Sequence, residues 1–191
     1  MRAPTMITWM LLALLATTAT GQASTDVIVA DVSFKGSVEF AGAQFDRRGA
    51  GLLRYMAFIK AYAGALYLAP EAAQDDALAT VPRRLEIVYF HRIEAEKFAA
   101  ATRKKIAENV TAADLAAVAS RLESFNRLYR DVQPGDRYGL TYIPERGTAL
   151  DLNGRILGWI EGDDFARAVF SIWLGPEPID EKFKAALLGA S

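Results

Sequence analysis

The chain has 191 residues, a formal net charge of −1, a single histidine and no cysteine. Disulfides, thiolate chemistry and a histidine-rich metal centre are therefore excluded. The near-neutral overall charge gives no electrostatic basis for binding nucleic acid or an anionic surface.

The N-terminus has the anatomy of an export signal. Met1-Arg2 supplies a positive start, Ile7 to Ala16 is an apolar run, and the small residues Gly21 and Ala23 precede Ser24. The run is shorter than the roughly 20 apolar residues a spanning helix needs. Residues 1–23 are thus expected to be a cleaved signal peptide, leaving residues 24–191 as one domain without a transmembrane span. With no cysteine at the cleavage point, lipidation is excluded, and the mature chain is expected in the periplasm or outside the cell.

In the mature chain Val27 to Phe34 reads as one strand and Ser37 to Phe45 as another, while Leu52 to Leu68 carries a third and a fourth. In 84–91, Leu85, Ile87 and Tyr89 alternate with Glu86, Val88 and Phe90, the period of a strand. From Glu94 the period changes: Phe98, Thr102 and Ile106 recur every four residues, which predicts a helix. Thr111 with Asp114 three residues on marks a second helix start, followed by the stripe Leu115, Val118, Leu122, Phe125 and Tyr129. Strands return at 137–143, 149–152 and 155–160, the last two joined by Asn153-Gly154, a pair that tolerates the left-handed backbone of a two-residue hairpin. Short amphipathic helices are predicted after Asp163-Asp164 and from Asp180 to Leu188. This order predicts an α+β domain, an antiparallel sheet covered on one face by helices with room for a pocket beneath them.

Chemistry-bearing motifs are few. No glycine-rich loop joins a strand to a helix as phosphate binding requires, and no loop has calcium-ligand spacing. His91 stands alone at a strand end, where a structural role is favoured. Glu161, Asp163 and Asp164 cluster where a helix begins and complement its dipole. Phe165, Phe170 and Trp173 fall at helical spacings suited to a core. One segment stands apart, Gly49 to Leu68, in which Arg54 interrupts a mostly apolar strand pair upstream of Tyr62 and Tyr67. Arg54 either faces solvent or enters an apolar pocket, where its charge needs an anionic or carbonyl partner. The residues by themselves leave both orientations open.

The ordered set Gly49-x-Gly51-x-x-Arg54, Phe58-x-Lys60-x-Tyr62-x-x-x-Leu66-Tyr67-Leu68, Tyr142-x-Pro144, Asn153-Gly154 with Gly162-x-x-Phe165-Ala166-x-Ala168, and Ile172-Trp173-Leu174-Gly175-x-x-Pro178 resembles the bacterial chalcone isomerase-like family. The resemblance implies an open-faced β-sandwich, a large antiparallel sheet with a layer of helices and a ligand cleft between them, and no cofactor. It also implies one of two activities. The enzymes close a chalcone to a flavanone with a pocket arginine, a threonine, a tyrosine and an asparagine; the fatty-acid-binding members keep an arginine and a tyrosine for a carboxylate.

Here the arginine carries over to Arg54, the threonine position falls on Tyr62 as in the binding members, the helix tyrosine falls at or near Phe98, and Lys105 stands near the asparagine position. The resemblance thus implies a non-catalytic binder of a fatty acid or similar amphipathic carboxylate, with Arg54, Tyr62, Tyr67 and Phe98 at the ligand. The alternatives are a cofactor-independent isomerase acting on a phenolic or enone substrate, and an envelope assembly factor without a small ligand.

Overall fold

The computed structural model describes residues 25–56, 58–72 and 77–190. The expected signal peptide, residues 1–23, lies outside them. The alternating segments form strands β1 (Val27–Val29), β2 (Val32–Phe34), β3 (Ser37–Phe40), β4 (Ala43–Tyr55), β5 (Ile59–Leu68), β6 (Arg83–Tyr89), β7 (Arg137–Ile143), β8 (Gly147–Leu152) and β9 (Arg155–Ile160). The four-residue periods form helices α1 (Ala95–Asn109), α2 (Ala112–Asn126), α3 (Asp163–Leu174) and α4 (Glu181–Leu187). Strands β3 to β9 make one antiparallel sheet in sequence order, and β1 pairs with β2 in a separate hairpin. No helix among the described residues is long and apolar enough to cross a membrane.

The two N-terminal segments, each expected to be one strand, are each divided by a turn. Ala30 and Asp31 have φ of 49° and 72°, and Ala41 and Gly42 have φ of 53° and 84°. Two consecutive left-handed residues reverse the chain in a way that matches strand twist. Only one of these four residues is glycine, so the turn signal in the sequence is weak. At Asn153-Gly154, where the signal is strong, the backbone is left-handed as expected (φ 52° and 82°). The Thr111 hydroxyl accepts a hydrogen bond from the Asp114 N–H (3.2 Å), closing the first turn of α2.

The period of two in the strands separates two cores. On the helical side, Leu53, Tyr62, Leu66, Leu85, Ile87, Tyr89 and Leu140 pack beneath α1, α2 and α3. On the other side, Ala63, Ala65, Tyr67 and Val88 pack with Phe34 and Phe45 under the β1–β2 hairpin. Arg47 ties that hairpin down by donating to the carbonyls of Phe34 (2.9 Å) and Thr25 (2.7 Å). Glycine lets α4 approach the sheet: a Cβ on Gly64 would lie 2.8 Å from the Phe183 ring.

The hairpin side also holds a buried ion cluster. Arg84 donates to Asp151 (2.7 Å), Thr141 (2.6 Å) and Glu86 (3.0 Å), and Arg137 donates to the second oxygen of Glu86. Burial opposes the Arg84 charge, but the hydrogen bond to Asp151 and the charges of Asp151 and Glu86 outweigh it and raise its pKa.

Candidate functional site

The sheet and the helices do not close completely on one another. Between them lies a cavity of about 200 Å³. Its floor is Tyr62 of β5, Leu85, Ile87 and Tyr89 of β6, Tyr138 and Leu140 of β7 and Leu150 of β8; its roof includes Phe98, Ala101 and Thr102 of α1, Phe125 of α2, and Ile172 and Trp173 of α3. These sites follow from the two periods. Every second residue of β6 points to the floor, and residues 98 and 102 fall one helical turn apart on the roof.

The aromatic side chains form a continuous cluster. Phe98 stacks on Tyr129 (centroids 5.3 Å apart) and meets Tyr89 and Tyr138 edge-on at 5.2 and 5.5 Å; Tyr62 meets Tyr89 at 5.7 Å. Each such pair contributes roughly 0.5–1.5 kcal/mol beyond burial, so the wall is rigid as well as apolar.

The phenol oxygens in the wall are specifically held. Trp173 Nε1 donates to the Tyr62 hydroxyl (3.1 Å), leaving that phenol its own hydrogen to donate. Thr102 and Tyr129 share a hydrogen bond of 2.8 Å. Tyr138 donates to the Arg130 carbonyl (2.9 Å) and accepts from the Arg130 N–H (2.7 Å). Burial pushes the Tyr62, Tyr89, Tyr129 and Tyr138 phenols above their ordinary pKa; the Trp173, Thr102 and Arg130 hydrogen bonds oppose the shift at Tyr62, Tyr129 and Tyr138 without cancelling it. These groups are therefore neutral phenols at physiological pH, not bases.

Among the described lining residues, charge reaches the cavity from one helix, α1. Among the described lining residues the ionisable ones, tyrosines apart, are Lys97 and Lys105, four residues either side of Ala101 on α1. The Lys105 side chain is 18% exposed and its Nζ lies 2.7 Å from Glu108; Lys97 is 72% exposed and lies 3.4 Å from Glu94. The hydrogen bond from Lys105 holds the Glu108 carboxyl below its usual pKa. An apolar chamber with an ammonium group in its lining can take an amphipathic anion, tail inward. No cluster of histidine, aspartate and glutamate able to hold a metal occurs among the described residues.

The sequence profile described as chalcone isomerase-like matches residues 26–189, nearly all of the described chain. The chain belongs to the chalcone isomerase-like family. Among solved structures, the crystal structure of an Arabidopsis thaliana fatty-acid binding protein superposes with a TM-score of 0.66 at 15% identity, covering 85% of this chain and 95% of that one. The likeness establishes a shared fold: the chalcone isomerase-like α+β architecture of a large antiparallel sheet with a helical layer. No curated protein matches the sequence.

In this chalcone isomerase-like domain the four expected ligand residues are not brought together. Tyr62 and Phe98 line the cavity. Tyr67 does not: five residues beyond Tyr62 in the same strand, it faces the opposite core, where its hydroxyl is buried without a hydrogen-bond partner. Arg54 does not reach the cavity either. It is exposed at the end of β4, opposite Lys60 and just past a register shift after Leu53. Of the two orientations, the structure adopts the solvent-facing one, outside the cavity lining.

The cavity cations are instead lysines of α1. Lys97 was not singled out by sequence, although its place beside Phe98 on a helix whose face repeats every four residues was a usable signal. His91 is exposed, with Nε2 2.9 Å from the Lys60 carbonyl. Asp164 is held by Arg121 (2.6 Å) and Asp163 accepts from Tyr142 (2.7 Å), so the acidic cluster serves the start of α3. Phe165 and Phe170 are fully buried core residues, whereas Trp173 reaches the cavity.

Proposed function

We propose that this domain binds one amphipathic small molecule, a fatty acid or a similar carboxylate, with its tail in the aromatic cavity and its head group at Lys105, the less exposed of the two cavity lysines. The observation that carries the reading is an aromatic and aliphatic cavity whose charged lining residues, tyrosines apart, are two lysines of α1. The fatty-acid-binding protein of the same fold supports it. Apolar cavities of about 150 Å³ hold benzene. A cavity of about 200 Å³ therefore takes a ring or a modest alkyl segment, and a longer chain extends past the rim. A proton-transfer step would need a base in the cavity, and the wall phenols Tyr62 and Tyr129 are held neutral by burial, which supports binding over isomerisation.

Titration with straight-chain carboxylates of increasing length tests the reading. Affinity should rise about fourfold per methylene, the equivalent of about 0.8 kcal/mol, and level off once the cavity is full. Lys105→Ala should weaken binding about fivefold, below the usual range for a charge-assisted hydrogen bond, because Glu108 already competes for Nζ. Affinity that is flat with chain length and indifferent to Lys105 would refute it. We further propose that the protein works outside the cytoplasm, on the signal-like composition of residues 1–23. N-terminal sequencing of the envelope-fraction protein should begin near Ser24, and an intact Met1 on most of it would overturn that placement.

A further inference from the structure

We propose that the turn between β4 and β5 is a docking tip that enters the headgroup region of an anionic phospholipid bilayer. Tyr55, Met56 and Phe58 are 60%, 64% and 74% exposed, and Ile59 adds a fourth exposed apolar side chain. Single exposed apolar residues are ordinary on any protein surface, but four within five positions at one projecting turn are not. The turn is tight: Met56 is left-handed (φ 50°) and its carbonyl accepts from the Phe58 N–H at 2.9 Å.

Two cations flank these side chains. Arg54 and Lys60 are directly opposite each other in the strand register, both exposed, and residues 54–60 contain no acid. Two acids come near from other elements: Asp31 shares a shallow groove with Ile59 and Lys60, and Asp180 acts on Tyr62, further along β5. The near-neutral charge of the whole chain conceals this local excess. An apolar end backed by a pair of cations is the pattern of segments that insert between lipid headgroups, the rings and aliphatic chains reaching the acyl boundary while the cations meet phosphate.

A protein partner fits less well. A stable protein interface buries about 800 Å² on each side, more than four side chains on a turn can offer, whereas a bilayer accepts a narrow wedge. Strand β5 joins the tip to the cavity floor, Tyr62 being three residues from Ile59. Docking would bring that end of the cavity to the source of a poorly soluble lipid. That consequence rests on the proposed ligand; the docking itself does not.

The test is co-sedimentation of residues 24–191, which contain every described element and omit the apolar run 7–16 that would enter lipid by itself. The vesicles are equimolar phosphatidylglycerol and phosphatidylcholine, or phosphatidylcholine alone, with no fatty acid added, so the readout is independent of cavity occupancy. The protein should partition onto the anionic vesicles and far less onto the neutral ones. Met56→Asp with Phe58→Asp should reduce partitioning by at least roughly tenfold, because both apolar side chains are withheld from the bilayer. Arg54→Gln and Lys60→Gln should each reduce it about fivefold on anionic vesicles at low salt and little on neutral ones. Thermal melts verify that each variant folds, and if the double aspartate variant does not, the two glutamine variants still decide the matter. Wild-type protein that ignores anionic vesicles, or variants that bind as wild type does, would overturn the proposal. So would a concentration-dependent dimer abolished by Met56→Asp with Phe58→Asp, which would show that a second copy covers the tip.

Discussion

Filling the cavity from its rim separates the place of the ligand tail from the place of its head. Ala101 lies on α1 between the two lysines and lines the cavity, and its exposed position lets a larger side chain swing inward without displacing the packed wall. Ala101→Trp would put an indole into about 200 Å³. An indole is larger than benzene, which fits a cavity of about 150 Å³, so little room would remain. If about 100 Å² of the ring enters the apolar chamber, burial contributes about 2.5 kcal/mol. Tryptophan gives back about 0.5 kcal/mol against alanine in helix propensity. The net gain of about 2 kcal/mol should raise Tm by roughly 4–8 °C for a domain of this size. A ligand that must displace the indole should lose about the same 2 kcal/mol, roughly thirtyfold in affinity. Isothermal titration with a saturated carboxylate, alongside thermal melts without ligand, reads both quantities. A raised Tm with unchanged carboxylate affinity would show that the tail binds elsewhere and would refute the cavity reading.

Tyr62→Phe should lower both ligand affinity and stability by about 0.5–1.5 kcal/mol, since Trp173 Nε1 loses its acceptor and the ligand a donor; titration and urea unfolding measure the two. Asp151→Ala should destabilise by roughly 3–5 kcal/mol in urea, because Arg84 stays buried without its principal counter-ion, and Asp151→Asn should cost less. Arg121 holds the Asp164 carboxyl below its usual pKa, chiefly through their hydrogen bond, so the stability from this pair is complete above about pH 4 and lost as pH falls through the lowered value. Arg121→Ala should therefore cost up to about 1 kcal/mol at neutral pH, the pair being half exposed, and nothing at the acid end, as pH-dependent denaturation would show.

Much of the secondary structure was legible in the residues because its causes are local. The Thr111 cap, the Asn153-Gly154 turn, the alternation of Leu85, Ile87 and Tyr89 and the four-residue step from Phe98 to Ile106 each depend on a few consecutive side chains, and each matches the structure. The same local rule held a warning that Tyr62 and Tyr67 could not both face one cavity, since five residues along a strand is an odd number. The turns at Ala30-Asp31 and Ala41-Gly42 were hidden because three of their four residues carry a side chain that resists a left-handed backbone, and strand pairing across the turn overrides that cost.

The site itself belongs to the tertiary structure. Composition and period determined that there would be a sheet, a helical layer and apolar faces to join them. Nothing local distinguishes which face of the sheet the helices cover. That choice sends Tyr62 to the cavity and Tyr67 to the opposite core, and it brings Lys97 and Lys105 into the cavity lining. The reason is that sidedness arises from contacts between segments far apart in the chain, such as Trp173 of α3 with Tyr62 of β5, and no window of consecutive residues contains both.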